Sequence, residues 1–220
     1  MRQTLLAAAA AAALSIAAPA SAEIIVLDFE GVGDLNPVGN FYNGGAGTNY
    51  GVEFSGDTLA VVDADDGGSG NFANEPSSNT IMFFLNANNA ILNFAAGFTT
   101  GFSFFYSSST AATVNVYDGL NGTGNLLGSL NLDAQGFQNC TGDPGGDFCN
   151  WTAVGVAFAG TAKSINFGGT ANQTGFDDIT FGSDRPGGTI VPEPSTWAMM
   201  LLGFAGLGSA LRMRRRLAVA

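Results

Sequence analysis

Hydrophobic and polar residues alternate along most of this chain, in short runs separated by clusters of Gly, Asn, Asp and Ser. In Thr-Val-Asn-Val-Tyr at 113–117, the side chains of Val114 and Val116 share one face, because successive side chains of a strand point to opposite sides. Asp118-Gly119 and Asn121-Gly122 follow at once, and both are typical turn dipeptides. The pattern is that of short strands joined by tight turns.

Ten strands are predicted in this way: Ile24–Phe29, Thr58–Val62, Thr80–Leu85, Ala90–Phe94, Phe98–Tyr106, Ala112–Tyr117, Leu126–Leu132, Thr152–Phe158, Lys163–Phe167 and Phe176–Phe181. No window between them has a helical period. This spacing predicts an all-β fold, an antiparallel β-sandwich with jelly-roll connectivity as the first choice. The abundant phenylalanines, such as Phe102 and Phe104, are assigned to its core.

The N-terminus has the layout of a processing signal. Arg2 gives a short positive region, residues 5–18 form an apolar run that is mostly alanine, and Ala20-Ser21-Ala22 places small residues before a cleavage point. This predicts a secretory signal peptide over residues 1–22. A packed N-terminal helix is the alternative, but a strand-like sequence begins directly at Glu23.

The C-terminus combines a proline motif, an apolar run and a basic end. Pro192-Glu193-Pro194 precedes the 15 apolar residues of 197–211, and Arg212, Arg214, Arg215 and Arg216 follow. A helix of that length spans about 22 Å against about 30 Å of hydrocarbon, so a buried core helix is the alternative. The arginines favour a single transmembrane helix with its basic end in the cytoplasm, because they stay on that side and their long side chains extend the span.

These residues resemble a known sorting tail. Pro192-Glu193-Pro194, Trp197-Ala198, the run at 199–208 and the arginine cluster are similar, in that order, to the PEP-CTERM tail of the PEP-x-x-W-A type. The resemblance implies a substrate of an exosortase, a membrane-embedded cysteine transpeptidase of Gram-negative bacteria, which would cut at or near Pro192-Glu193-Pro194. In this interpretation Pro192, Glu193, Pro194 and Trp197 are recognised by another enzyme.

The resemblance also implies a location and a role. We expect a signal peptide at 1–22, a β-sandwich ectodomain at 23–184, a linker at 185–191 and the sorting tail at 192–220. Signal peptidase and the exosortase are then the processing partners. The body is periplasmic while the tail holds it at the inner membrane, and afterwards lies at the cell surface or in the extracellular matrix. Such proteins accompany exopolysaccharide and biofilm formation, which suggests a structural or adhesive component.

Charge narrows the function classes. The body from Glu23 to Asp184 has 17 acidic residues against the basic Lys163 and Arg185, a net charge near −15. This excludes electrostatic binding to nucleic acid or anionic lipid. No histidine is present, so neither a Ser-His nor a Cys-His nucleophile pair exists, and we expect no enzyme. A glycosidase-like acid pair stays open by composition, which leaves a glycoside hydrolase as the least favoured function.

Two acidic groups suggest a structural calcium, which takes six to eight oxygen ligands. Asp28 and Glu30 share a face of the first strand, and Asp177 and Asp178 lie on a last strand that could run beside it. The second group lies in one loop and comprises Asp63, Asp65 and Asp66. The alternative for both is ordinary aspartate in turns, accepting hydrogen bonds from backbone amides.

Cys140 and Cys149 enclose a short loop rich in turn-forming residues. In an exported protein two such cysteines are expected to form a disulfide. A zinc site is disfavoured, because two thiols without histidine do not complete a tetrahedral set.

A lectin-like, carbohydrate-binding role is the alternative to the structural one. Trp151, Tyr106 and Tyr117, together with Tyr42 and Tyr50, are the amphipathic aromatic residues that could stack on the sugars of an exopolysaccharide. Stacking needs rings that are exposed and grouped on one surface. Core packing or solitary surface positions are the competing explanation for the same residues.

Overall fold

Nine β-strands form the body in the two stretches that the structure, a computed structural model, describes, residues 24–138 and 147–188. They are β1 Ile25–Leu27, β2 Val52–Phe54, β3 Thr58–Val62, β4 Thr80–Phe84, β5 Ile91–Ser108, β6 Ala112–Tyr117, β7 Leu126–Leu132, β8 Thr152–Phe167 and β9 Thr174–Phe181. Two single 3₁₀ turns, Ala64–Asp66 and Ala87–Asn89, stand between strands. The part of the chain between residues 22 and 190 forms its own compact unit.

The strands are joined in the order β3-β4-β9-β5-β8-β6-β7, with β1 paired to β9 and β2 paired to β5. Every pairing between these strands is antiparallel. The all-β antiparallel, sandwich-like architecture predicted from the sequence is therefore confirmed.

The long strands β5 and β8 run beside each other through both halves of the sheet. Residues 91–93 pair with 164–166, and residues 100–106 pair with 152–158. The register shifts between these two segments, where Gly97 and Thr100 have φ of 78° and 74°. Such bulges bend a strand sharply. One continuous pair of strands thus contributes to both halves of the sheet.

The same bend explains where the predicted strands differ from the observed ones. Ala90–Phe94 and Phe98–Tyr106 belong to the single strand β5, and Thr152–Phe158 and Lys163–Phe167 belong to β8. Glycine at 97 and at 160, both with positive φ, suggested turns but forms kinks within strands. The short strand β2 was not predicted, because three residues beside Gly51 give almost no alternating pattern.

Phenylalanine dominates the main core, as predicted. Phe102, Phe104, Phe167, Phe176 and Phe181 are all fully buried. Their rings meet mostly edge to face, with centroids 4.9 Å apart for Phe167 and Phe176, the geometry that aromatic pairs prefer. These rings come from β5, β8 and β9, so the core ties the middle of the sheet together.

Strand β4 is buried on both faces. Met82 and Phe84 point into the main core, whereas Ile81 and Phe83 belong to a second cluster with Val61 and Phe72. The uninterrupted apolar run at 81–84 is typical of a strand covered on both sides. The second cluster matters for function because a cleft opens beside it.

The first and last strands lie side by side. Ile25 pairs with Phe181 and Leu27 with Ile179, in antiparallel register. The sequence-based expectation that these two strands could be neighbours is thus met. It brings the acidic residues that follow β1 next to those of β9.

Across residues 24–138 and 147–188, no helix has the length and apolar character needed to cross a membrane. The signal peptide at 1–22, the sorting motif at 192–194, the apolar run at 197–211 and the basic end at 212–216 lie outside the described residues. Of the linker, Arg185 to Gly188 are described, and the amide of Gly187 donates to Thr180 Oγ1 over 3.0 Å. The start of the linker is therefore fastened to β9.

Candidate functional site

Asp177 is the most unusual acidic residue of the body, because its side chain in β9 is fully buried. Its carboxylate accepts hydrogen bonds from Ser77 N at 2.8 Å, from Ser77 Oγ at 2.8 Å and from Asp178 N at 2.7 Å. Burial raises the pKa of Asp177 to about 7, and the nearby charge of Asp178 adds to this, against the lowering effect of the Ser77 hydrogen bonds. The group therefore holds the 77–80 segment against the last strand.

Glu30 holds the same segment from the other side. One carboxylate oxygen accepts from the amides of Asn79 and Thr80, both at 3.0 Å, and the other accepts from Thr80 Oγ1 at 3.3 Å. Two carboxylates that are far apart in the sequence thus hold Ser77, Asn79 and Thr80 where the chain enters β4. We call Glu30, Asp177 and Ser77–Thr80 the acidic clamp.

Asp28 lies at the edge of this clamp and is exposed. Tyr42 Oη donates to Asp28 Oδ1 over 3.5 Å and accepts from Phe29 N at 2.8 Å. Burial, and then the charge of Asp28, raise the pKa of Tyr42. The pKa of Asp178 is also raised, by burial and by Asp28.

The structure does bring the first predicted calcium set, Asp28, Glu30, Asp177 and Asp178, together where the chain leaves β1 beside the middle of β9. The oxygens of Glu30 and Asp177, however, are taken up by N–H and O–H donors. In the part of the chain that is described, no three Asp, Glu or Cys side chains come together as a metal-binding group. Calcium therefore stays a prediction from the sequence alone.

The second predicted calcium set forms a capped turn. Asp63 is 7% exposed, and its side chain accepts from Asp65 N at 3.1 Å as the N-cap of the 3₁₀ turn. Asp65 and Asp66 are exposed. This geometry agrees with the alternative explanation, in which aspartate in a turn accepts hydrogen bonds from backbone amides.

Asp34 was missed by sequence reasoning. Its carboxylate accepts from Val62 N at 3.0 Å, from Ser69 N at 3.2 Å and from Ser69 Oγ at 2.8 Å. Asp34 is exposed, and although its slight desolvation acts to raise its pKa, these hydrogen bonds outweigh that effect and leave the pKa lowered. Val62 and Ser69 are 28 and 35 positions further along the chain, and only the fold brings them to Asp34. No local sequence pattern therefore predicted this role.

The predicted stacking residues do not form one surface. Tyr106 is 3% exposed and its hydroxyl accepts from Asp133 N at 3.1 Å, so its ring has no face open to a sugar, and Tyr42 is equally buried. Trp151 is half-buried beside Phe72, with Nε1 donating to Ala73 O at 3.0 Å. Tyr117 is half-buried on β6, four strands away from β4 in the sheet order.

A cleft of about 300 Å³ lies beside the second apolar cluster. Its apolar wall comes from Leu35, Val61, Phe72, Ile81, Phe83 and Phe148. Its polar wall comes from Ser69, Asn71, Asn172 and Thr174. The apolar run at 81–84 was the only sequence pattern at this cleft. It predicts that both faces of β4 are covered, but it does not predict an open cleft beside the strand.

Cys149 is buried at 5% exposure. Its predicted disulfide partner, Cys140, lies outside the described residues. The bridge stays a prediction.

Comparison with known families finds a match at the C-terminus. Residues 191–216 match the PEP-CTERM protein-sorting motif. The chain thus carries this motif, which implies export, an exosortase as processing partner and sorting to the cell surface. No curated protein matches the chain.

Solved structures resemble the body only distantly. A glycoside hydrolase family 43 arabinoxylan arabinofuranohydrolase from Bacillus subtilis, solved with cellotetraose, is similar over 68% of this chain at 19% identity and a TM-score of 0.36. This chain spans 28% of that hydrolase. The family 29 carbohydrate-binding module CBM29_1 from Piromyces equi is similar over 73% of this chain and 90% of its own, at 12% identity and a TM-score of 0.33. Likenesses this distant carry no argument about function.

Proposed function

We propose that this chain is an exported surface or extracellular-matrix protein of a Gram-negative bacterium, sorted and processed by an exosortase. The match of residues 191–216 to the sorting motif carries the proposal. The leader at 1–22 exports the chain, and the apolar run at 197–211 with the arginines at 212–216 holds it at the inner membrane. Cutting at or near Pro192-Glu193-Pro194 then releases or transfers the body.

The body is proposed to act as a structural or adhesive component and not as an enzyme. Two observations support this. The carboxylates of half-buried Glu30 and buried Asp177 accept the hydrogen bonds of the acidic clamp, and the described lining of the cleft contains no Asp or Glu. A glycosidase needs two carboxylates facing the bond to be cut. The pairing of the first and last strands also agrees with a jelly-roll variant, the finer form of the fold that we propose.

Processing is tested in cells that make the protein, by mass spectrometry of its mature C-terminus. We expect the extracellular form to end near residues 192–194. A Pro192→Ala/Pro194→Ala variant is expected to accumulate as a longer, membrane-bound form. The matched control is Pro186→Ala in the linker, which changes a proline outside the motif and is expected to be processed normally. An extracellular protein that still carries residues 197–220 would overturn the proposal.

A second function, binding of a neutral glycan of the exopolysaccharide, is favoured by the cleft. Its buried apolar floor and its rim of exposed amides, Asn71 and Asn172, suit a ligand that has both an apolar face and hydroxyl groups. The volume of about 300 Å³ is at the lower end of the range for small-molecule sites. The size fits one sugar unit and not a buried oligosaccharide.

An array of neutral oligosaccharides tests glycan binding by the full chain. Phe148→Ala removes a half-buried ring from the cleft wall and is expected to weaken binding at least about tenfold. Leu85→Ala removes a side chain that is 53% exposed and lies outside the cleft lining, so it is the control and should leave binding unchanged. No binding to any glycan, or equal losses in both variants, would exclude the cleft.

A further inference from the structure

The two ends of the sheet differ in how their backbone is covered. At β3, the segment before it supplies partners: Val38 N donates to Thr58 O at 3.0 Å, Ala60 N donates to Asn36 O at 2.9 Å, and Val62 N donates to Asp34. That segment also brings a charged side chain and Pro37 to the edge. Charges, prolines and covering loops are the usual means by which proteins block further strand pairing.

The opposite end, β7, lacks these protections among the residues that the structure describes. It pairs with β6 on one side, and within residues 24–138 and 147–188 no backbone hydrogen bond reaches its other side. Its seven residues, Leu-Leu-Gly-Ser-Leu-Asn-Leu, include no charge and no proline. Leu126 is 56% exposed, and the only register shift lies at that end, which leaves the pairing regular from Gly128 to Leu132.

A second open edge lies next to β7. The first half of β8, residues 152–158, pairs with β5, and its other side has no backbone partner in the described stretches. It also lacks charge. The two segments pack closely, because a Cβ placed on Gly128 would come within 3.0 Å of Val156 Cγ2. Neither β7 nor residues 152–158 of β8 contain a charged residue.

We propose that β7 pairs antiparallel with β7 of a second copy of this chain, across a two-fold axis. A row of free N–H and C=O groups takes an extended backbone as its partner. Two bodies with a net charge near −15 repel each other over most of their surface, so they can approach only where charge is missing. The β7 edge is such a place, and it is complementary to itself.

The side-chain pattern suits this pairing. Ser129 and Asn131 are exposed on the outer face, whereas Leu130 and Leu132 are buried on the inner face. A two-fold axis perpendicular to the sheet keeps outer residues beside outer residues and inner beside inner. The sheet of one copy thus continues into the next without exposing new apolar surface. The pairing would join copies of the body to one another, and it rests on the structural or adhesive role proposed above.

A double lysine substitution on β7 tests the proposed strand pairing by charge repulsion. The full-length chain is used, kept in non-ionic detergent. Ser129→Lys with Asn131→Lys places four positive charges around the two-fold axis. The control, Thr113→Lys with Asn115→Lys, adds the same charge to the same face of β6, one strand further in. Both variants lose the 3.4 Å contact between Thr113 Oγ1 and Asn131 Oδ1, so they are matched in that respect.

Light scattering coupled to size-exclusion chromatography gives the oligomeric state between about 1 and 100 µM protein, the range in which weak dimers dissociate. We expect the native chain to dimerise, the edge variant to have a dissociation constant at least about tenfold higher, and the control to stay near the native value. A monomeric native chain, or equal weakening in both variants, would overturn the pairing.

Cross-linking keeps the proposal testable if the lysine variant folds poorly. Under mild oxidation, Ser129→Cys should give disulfide-linked dimers, because Ser129 is the middle residue of β7 and faces its own copy when the two strands pair over their full length. Asn115→Cys, on β6, should not. Equal dimer yields for the two would count against the edge. Neither experiment depends on C-terminal processing, so failure of the pairing and failure of exosortase sorting are told apart.

Discussion

At the scale of single residues, Asp177 shows how a carboxylate can be both buried and useful. Its position on β9 excludes water, which disfavours the charged form, while Ser77 and Asp178 supply three donors that favour it. Burial is the larger effect, so the pKa of the folded state is raised to about 7, from an ordinary value of 3.8. Folding is therefore linked to proton uptake at this residue.

The sign of that link gives a prediction. Because the folded state binds the Asp177 proton more tightly than the unfolded state, the contribution to stability is largest below pH 4 and falls as the pH rises toward about 7. A shift of this size corresponds to at most about 4 kcal/mol in the free energy of unfolding. Asp177→Asn, which stays neutral, should flatten this dependence. Urea unfolding at about pH 4.5 and pH 7.5 measures it.

Asp66→Asn serves as the control for the pH experiment, since Asp66 is exposed. It should keep the native difference between the two pH values. The opposite outcome is a native protein that is equally stable at both pH values and behaves like Asp177→Asn. It would show that ionisation of Asp177 hardly changes the free energy of unfolding. The lowered pKa of Asp34 and of Asp118 acts in the opposite direction, toward lower stability in acid.

At the scale of elements, the kink in β5 depends on Gly97. Its φ of 78° is unfavourable for other residues, and a Cβ there would come within 2.4 Å of Thr161 Cγ2. We expect Gly97→Ala to lower the free energy of unfolding by about 1–3 kcal/mol. The matched control is Gly56→Ala, where a Cβ meets nothing within 4 Å. Thermal or urea unfolding of the two variants decides this, and equal effects would mean that the kink tolerates a side chain.

The ring cluster gives a second prediction for the elements. Phe176 of β9 is fully buried and contacts Phe104 at 5.3 Å and Phe167 at 4.9 Å between ring centroids. Phe176→Ala should cost about 3–5 kcal/mol in unfolding free energy, because it leaves a cavity among these rings. Phe137→Ala, at a ring that is 55% exposed, should cost less than about 0.5 kcal/mol. Similar losses in both variants would mean that the rings are not the core.

The elements also show what a sequence can and cannot predict. The bounds of β6 follow from alternation, because its two valines are buried and the residue between them is not. That β5 and β8 each continue through their glycines as one strand could not be predicted from the sequence. A glycine with positive φ is equally suited to a turn and to a bulge within a strand. Glu30 was placed near Asp177, but its true partners, the amides of Asn79 and Thr80, lie about fifty residues away and carry no pattern of their own.

At the scale of the whole molecule, charge and edge act against each other. The acidic body repels its copies, while the uncharged β7 edge attracts them, and salt screens only the first effect. Raising the salt concentration from about 20 to 500 mM should therefore strengthen dimerisation of the native chain. Light scattering of the full chain at both salt concentrations checks it. Weakening by salt would indicate an interface held by ion pairs.

The two long strands also affect how the body responds to a pulling force. β5 and β8 each run through both halves of the sheet, so the same two backbones carry hydrogen bonds in both halves. Under a pulling force the two halves of the sheet cannot separate unless β5 or β8 loses its backbone hydrogen bonds along its whole length. The body should therefore yield in a single rupture and resist pulling more than two separate sheets of equal size would.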